Sequence, residues 1–201
     1  MMIKYRNWDR LGNGGLRLSE LGFGAAPLGN LYRAISEEDA QNTLQDAWDA
    51  GLRYFDTAPL YGLGLSETRI NHFLRGKPRE DYVISTKVGR ELVPNPNYAG
   101  ELDMENDFAV PATLMRTPAY DYDGIRRSLE SSLERLDMDY VDIVYIHDPD
   151  VYGLDAVLTD SLRAVEKLRD EGMVQAVGIG SKSVEALQRG VAEGNLDVIM
   201  V

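Results

Sequence analysis

Six short apolar runs, the first five each followed by an amphipathic helical pattern, constrain the chain more than any other feature. The runs fall at residues 21–25, 53–58, 82–87, 141–147, 174–180 and 198–201. They are near-continuously apolar, the pattern expected of parallel strands covered on both faces. Between them, Ser36 caps a helix with Ala40, Leu44, Ala47 and Trp48 on one stripe, closing at Gly51. A second helix opens at Ser66, turns Ile70, Phe73 and Leu74 inward, and ends at Gly76 and Pro78. The third carries Ile125, Leu129, Leu133 and Leu136, and the fourth carries Leu162, Val165 and Leu168 up to Gly172. The fifth buries Val184, Leu187 and Val191 and stops at Gly194. Strand and helix alternate throughout, which predicts a parallel α/β sheet.

Two architectures alternate in this way, a doubly wound sheet and an eight-stranded (β/α)8 barrel. A dinucleotide-binding doubly wound sheet calls for G-x-G-x-x-G between the first strand and its helix. The chain offers Gly22-Phe23-Gly24-Ala25-Ala26-Pro27, which ends in proline about ten residues before a helix. A barrel instead concentrates polar chemistry at the C-terminal ends of consecutive strands, and that pattern is present here. Ahead of the first unit, Asn13-Gly14 between two short runs predicts an N-terminal β-hairpin. Residues 1–201 then form a single domain of six barrel strands. A full barrel takes about 250 residues and eight strands, so the chain is expected to be part of a longer protein.

One connection, residues 90–121, shows neither period and is broken by Pro94, Pro96, Pro111 and Pro118. Residues 91–120 of it carry Glu91, Glu101, Asp103, Glu105 and Asp107 against Arg116. Loops of this length are functional covers or flexible insertions. The cover is favoured, with Tyr98, Leu102, Met104, Phe108 and Val110 folding it onto the active-site end.

The balance of 21 Lys and Arg against 33 Asp and Glu gives a net charge of −12. That opposes binding to nucleic acid or to an anionic membrane. The absence of cysteine excludes disulfides, thiolate metal sites and a cysteine nucleophile. No apolar run has the length of a membrane span and none resembles a leader peptide, so a cytoplasmic location is expected. No His, Asp and Glu set has metal-ligand spacing. His72 reads as a solvated surface residue.

Three strand ends carry ionisable groups: Asp56 with Tyr61 following the second run, Lys87 at the third and His147 at the fourth. Taken singly, Asp56 caps a turn, Tyr61 wedges on a rim, Lys87 snorkels to solvent and His147 is a structural hydrogen-bonder. Together, on one face of a barrel, they make a site. An ammonium beside a phenol stabilises phenolate, and a carboxylate on the ammonium holds it in place. Asp56 and Lys87 thereby tune Tyr61 as a general acid/base, with His147 orienting a carbonyl or alcohol oxygen. The set has no electron source, so redox work requires a bound hydride carrier.

These residues resemble the aldo-keto reductase superfamily over almost the whole chain. Gly15-Leu16-Arg17-Leu18-Ser19-Glu20-Leu21-Gly22 is similar to its opening hairpin and first strand. Arg53-Tyr54-Phe55-Asp56-Thr57-Ala58, Tyr61-Gly62-Leu63-Gly64-Leu65-Ser66-Glu67, Ser85-Thr86-Lys87 and Ile146-His147-Asp148 resemble its four active-site motifs. The resemblance implies NAD or NADP as cofactor, held by Gly24, Ala25, Ala26, Asp56, Ser181 and Lys182. Lys182 stands where many members have Asn. Ala26-Pro27-Leu28-Gly29-Asn30 and the long insertion resemble the branch of sugar (D-threo-aldose, fucose-type) 1-dehydrogenases and pyridoxal 4-dehydrogenase. That implies oxidation of a hemiacetal hydroxyl, or turnover of a related small aldehyde. Two other readings stay open: a Schiff-base aldolase using Lys87, and a non-catalytic nicotinamide-sensing or fragmentary barrel protein.

Overall fold

The computed structural model describes residues 3–8 and 15–201. Strands β1 (Tyr5–Trp8) and β2 (Leu16–Ser19) pair antiparallel, with Tyr5 opposite Ser19. They form the expected hairpin, whose Asn13-Gly14 turn lies outside the described residues. The first parallel strand, β3 (Phe23–Gly24), is shorter than the run 21–25, and Leu21 is exposed. Likewise β4 covers only Tyr54–Asp56, followed by β5 (Val83–Val88).

The long connection is more regular than its composition suggests. Its two ends form an antiparallel ribbon, β6 (Arg90–Pro94) with β7 (Leu114–Pro118). The prolines stand at the ribbon's ends, Pro94 opposite Leu114 and Pro118 opposite Arg90, where a missing N–H donor is tolerated. Only two of the five residues expected to pack downward do so: Phe108 and Val110 are buried, while Tyr98, Leu102 and Met104 are exposed.

The remaining strands are β8 (Val141–His147), β9 (Val174–Gly180) and β10 (Val198–Met200). The six-stranded parallel sheet runs β3-β4-β5-β8-β9-β10, each strand beside the next in chain order. A doubly wound sheet reverses its order at a switch point, so this order excludes that alternative. Sequential crossovers place the helices on one face and leave the other to the barrel interior.

The core divides accordingly. On the outer face Phe55, Ile84, Val144, Ile146 and Val177 pack against helices α1 (Glu37–Asp49), α2 (Leu65–Leu74), α3 (Tyr122–Leu136), α4 (Leu154–Asp170) and α5 (Val184–Glu193). On the inner face Val83, Ile143, Tyr145 and Ala176 meet Leu16, with Trp8 and Leu18 against them, so the hairpin closes the N-terminal end.

Two helices depart from expectation. Gly64, not Ser66, precedes α2, and its left-handed conformation (φ 93°) starts the helix without a side-chain cap. Ser66 is inside the first turn, where its hydroxyl donates to the Ala25 carbonyl. In α5, Ala186, Leu187 and Gly190 are buried, while Val184 and Val191 are exposed. Those valines lie about a third of a turn away from the buried stripe at roughly 100° per residue.

The turn following β4 is set by backbone packing. A Cβ on Gly29 would stand 2.5 Å from the Tyr61 carbonyl carbon, and one on Gly62 would stand 2.2 Å from the Gly29 oxygen. Neither neighbour is a movable side chain, so only glycine admits this approach. Gly29→Ala should therefore lower unfolding free energy by roughly 1–3 kcal/mol in denaturant titration. Gly76→Ala, at a position with open space, should change it by less than about 0.5 kcal/mol. Equal effects would contradict this packing.

Candidate active site

Strand side chains alternate with a period of two, so one inward residue near each C-terminal end fixes its companions. Asp56, Lys87 and His147 all face inward at those ends, and the turn after β4 brings Tyr61 over them. The Lys87 ammonium donates to Asp56 Oδ2 at 2.5 Å and to the Thr57 carbonyl at 2.9 Å. Its Nζ lies 4.8 Å from the centre of the Tyr61 ring. The His147 ring meets the Tyr61 ring edge-on, 6.0 Å between centres. Four groups spread over about 90 residues of sequence thus share one pocket.

Burial sets the electrostatics. Lys87 is 2% exposed. Its burial pulls the ammonium pKa down, but the charge and hydrogen bond of Asp56, with Tyr61 beside it, outweigh that and leave a net upward shift. Lys87 is therefore a fixed cation. His147 behaves oppositely: burial first, then the positive charges of Lys87, Arg90 and Arg116, hold its pKa well below the ordinary imidazole value. The imidazole is neutral near pH 7, and its buried Nδ1 has no hydrogen-bond partner in the protein. Its carbonyl accepts from the Tyr120 hydroxyl at 2.8 Å, which anchors the end of β8. Asp148 follows in a left-handed conformation (φ 43°), its Oδ2 3.4 Å from His147 Nε2 and 3.6 Å from Arg90 Nη2.

A cleft of about 410 Å³ opens above these groups, with Tyr61, Lys87, His147 and Lys182 in its wall. The long connection forms one side. Arg116 grips Asp103 with two hydrogen bonds (2.9 and 2.6 Å) and donates to the Leu60 carbonyl, next to Tyr61, at 2.8 Å. The Phe108 ring lies 6.2 Å from that of Tyr61. A second cleft, of about 330 Å³, lies at the opposite end of the sheet among Arg17, Arg79 and Tyr140, remote from the four groups.

The residues expected at a nicotinamide cofactor are placed unevenly. Gly24 is exposed and Lys182 is exposed at the cleft, whereas Ala25 is fully buried. The Ala25 N–H donates to the Asp56 carbonyl and its own carbonyl accepts from Ser66, so Ala25 supports the strand end from within. Ser181 donates to Asp150 at 2.6 Å and accepts from the Ser183 N–H. One lone pair of its oxygen is left over for an amide donor. The donor set fits a hydride carrier, because the cleft concentrates proton-handling groups and no redox-active side chain lines it. Among the described residues no group of His, Asp and Glu could hold a metal ion, and no helix is long and apolar enough to cross a membrane. His72 is a surface residue, hydrogen-bonded to Glu37 at 3.1 Å.

Sequence reasoning missed several supporting residues. In the sequence Arg116 and Asp103 read only as charge in a loop, where a lone cation among five acids is the available signal. Tyr54, Ser85 and Tyr145 each stand two positions before a site residue, so strand periodicity alone puts them beneath it.

Known proteins extend these observations. The model of the aldo/keto reductase family matches residues 20–201. The chain is 52% identical over 188 residues to D-threo-aldose 1-dehydrogenase of a Pseudomonas species, covering 93% of this chain and 57% of that protein. It is 33% identical over 213 residues to pyridoxal 4-dehydrogenase of Microbacterium luteolum, covering 98% and 62%. A holo-form aldo-keto reductase structure from Bacillus halodurans superposes with a TM-score of 0.74 at 27% identity, covering 98% of this chain and 56% of that one. The chain therefore spans little more than half the length of these relatives. On strand order, site geometry and family match together, it belongs to the aldo/keto reductase family.

Proposed function

We propose that the protein is an NAD(P)-dependent oxidoreductase acting on an aldose hemiacetal or a related small aldehyde, with Tyr61 as its general acid/base. The observation that carries this reading is the buried Asp56–Lys87 pair beneath the Tyr61 ring. A fixed ammonium beside a phenol stabilises negative charge on its oxygen, which suits that oxygen to exchanging a proton with a substrate oxygen. In the oxidative direction Tyr61 as phenolate takes the substrate hydroxyl proton. The neutral imidazole of His147 hydrogen-bonds the same oxygen and orients it without competing as a charged acid. Arg116 and Phe108 hold the long connection against the Tyr61 turn and shield the reacting atoms from water. Gly24, Ser181 and Lys182 are residues that would hold a nicotinamide dinucleotide, which when bound would supply the hydride-accepting chemistry that the side chains lack. The sugar class follows from the relative named for D-threo-aldose, the nearest of those compared above in identity.

A Schiff-base role for Lys87 is disfavoured by the same geometry. Nucleophilic amines work unprotonated, with a lowered pKa; this one is held as ammonium by a carboxylate and a carbonyl.

With L-fucose and NAD+ or NADP+, Tyr61→Phe should reduce turnover roughly 10²–10⁴-fold while cofactor binding, followed by fluorescence quenching, is retained. A variant near the wild-type rate would remove Tyr61 from the chemistry. A second test uses the depressed His147 pKa. The unfolded chain takes up a proton on this residue near pH 6.5 and the folded protein does not. Stability should accordingly fall as pH drops below about 6.5, by about 1.4 kcal/mol per unit, until the folded imidazole itself titrates. The stability gap between wild type and His147→Asn should narrow over that range; a constant gap would mean the buried imidazole is not held neutral.

A further inference from the structure

Directly beneath the acid/base groups lies a second layer of inward-facing side chains, each two residues earlier on the same strand: Tyr54 under Asp56, Ser85 under Lys87 and Tyr145 under His147. All three end in hydroxyls, and the hydroxyls form a row. The Ser85 hydroxyl donates to Asp56 Oδ1 at 2.6 Å, Tyr54 and Ser85 oxygens are 3.0 Å apart, and Tyr54 and Tyr145 oxygens are 3.1 Å apart.

The direction of the row follows from counting protons. Each hydroxyl has a single hydrogen. The carboxylate can only accept, so the hydrogen of Ser85 is committed to Asp56. Tyr54 must then donate to Ser85, and Tyr145 must donate to Tyr54. Burial keeps both phenols protonated: Tyr145 is pushed up to about 12, and Tyr54 is raised further by burial with Tyr145 and Asp56 beside it. Three aligned O–H dipoles therefore point at one carboxylate oxygen, each polarising the next. The other oxygen, Oδ2, holds Lys87. Space for the last ring of the row is made opposite it on β9, where a Cβ on Gly178 would stand 2.9 Å from Tyr145 Cδ1.

We propose that Ser85, Tyr54 and Tyr145 are positioning residues, a one-way row of donors that holds Asp56 on Lys87 and, through Lys87, governs proton transfer at Tyr61. This rests on the acid/base reading of Tyr61 given above. With Ser85 removed, the negative charge of Asp56 is less compensated. It draws the Lys87 ammonium toward itself and opposes phenolate above it. Proton uptake from substrate then requires a higher pH.

The test is the pH dependence of kcat for L-fucose oxidation in Ser85→Ala, Tyr54→Phe and Tyr145→Phe of the full chain, with Ser85→Thr as the hydroxyl-retaining control. The acidic limb should move upward by roughly half to one unit in Ser85→Ala. The shift should be smaller in Tyr54→Phe and smallest in Tyr145→Phe, with KM little changed and rate recovering at high pH. Ser85→Thr should restore the wild-type limb. Tyr145→Phe, which keeps the ring packing, preserves the test if Ser85→Ala does not fold. A uniform fall in kcat with an unmoved limb would reduce the row to a structural role and overturn the proposal. Tyr61→Phe run in parallel separates the two ideas. If it is inactive while the limb of the others stays put, only the hydroxyl row fails; if it is active, the acid/base assignment fails first.

Discussion

A protonated lysine that is 2% exposed is the constraint around which this structure is arranged. A lone buried ammonium is expensive, and it persists here because one carboxylate and one carbonyl meet it at 2.5 and 2.9 Å. Asp56 reaches it only because β4 and β5 are adjacent, with Asp56 paired to Ser85 in register. The Thr57 carbonyl reaches it because the Thr57 N–H is fixed on the Ser85 carbonyl. Sheet order, register and the turn after β4 are thus conditions for keeping that charge inside, and the charge in turn makes Tyr61 useful.

A second ion pair lies on the other side of β5. Thr86, the outward neighbour of Lys87, donates to Glu67 Oε1 at 2.7 Å, and Arg135 of α3 donates to Glu67 Oε2 at 2.6 Å. Glu67 is fully buried, so removing Arg135 strands a carboxylate charge in the core. Lys87 therefore sits on a strand fixed from both faces, by Asp56 within the barrel and by α2 and α3 outside it. Rigid elements of this kind hold reacting groups more closely than loops do.

Much of this was legible in the sequence, for identifiable reasons. Parallel strands and their helices announce themselves through apolar periodicity. Asp56, Lys87 and His147 stood out because ionisable residues ending apolar runs are conspicuous. What escaped was polar chemistry spaced for a strand's inner face. Tyr54, Ser85 and Tyr145 look like ordinary strand residues until register aligns them. The ribbon β6–β7 escaped because five-residue strands with prolines at their ends carry too little pattern. Val184 and Val191 misled because an apolar residue a third of a turn away from the true stripe scores as amphipathic. Ser66 looked like a cap because serine near a helix start usually is one; tertiary contact with Ala25 claimed its hydroxyl instead.

The central claim is that Lys87 and Tyr61 act as one unit in proton transfer. A double-mutant cycle on kcat with Tyr61→Phe, Lys87→Met and the double variant addresses it directly. Groups that act together give grossly non-additive losses, so the double variant should be about as slow as the more impaired single one. Losses that multiply independently would contradict the account.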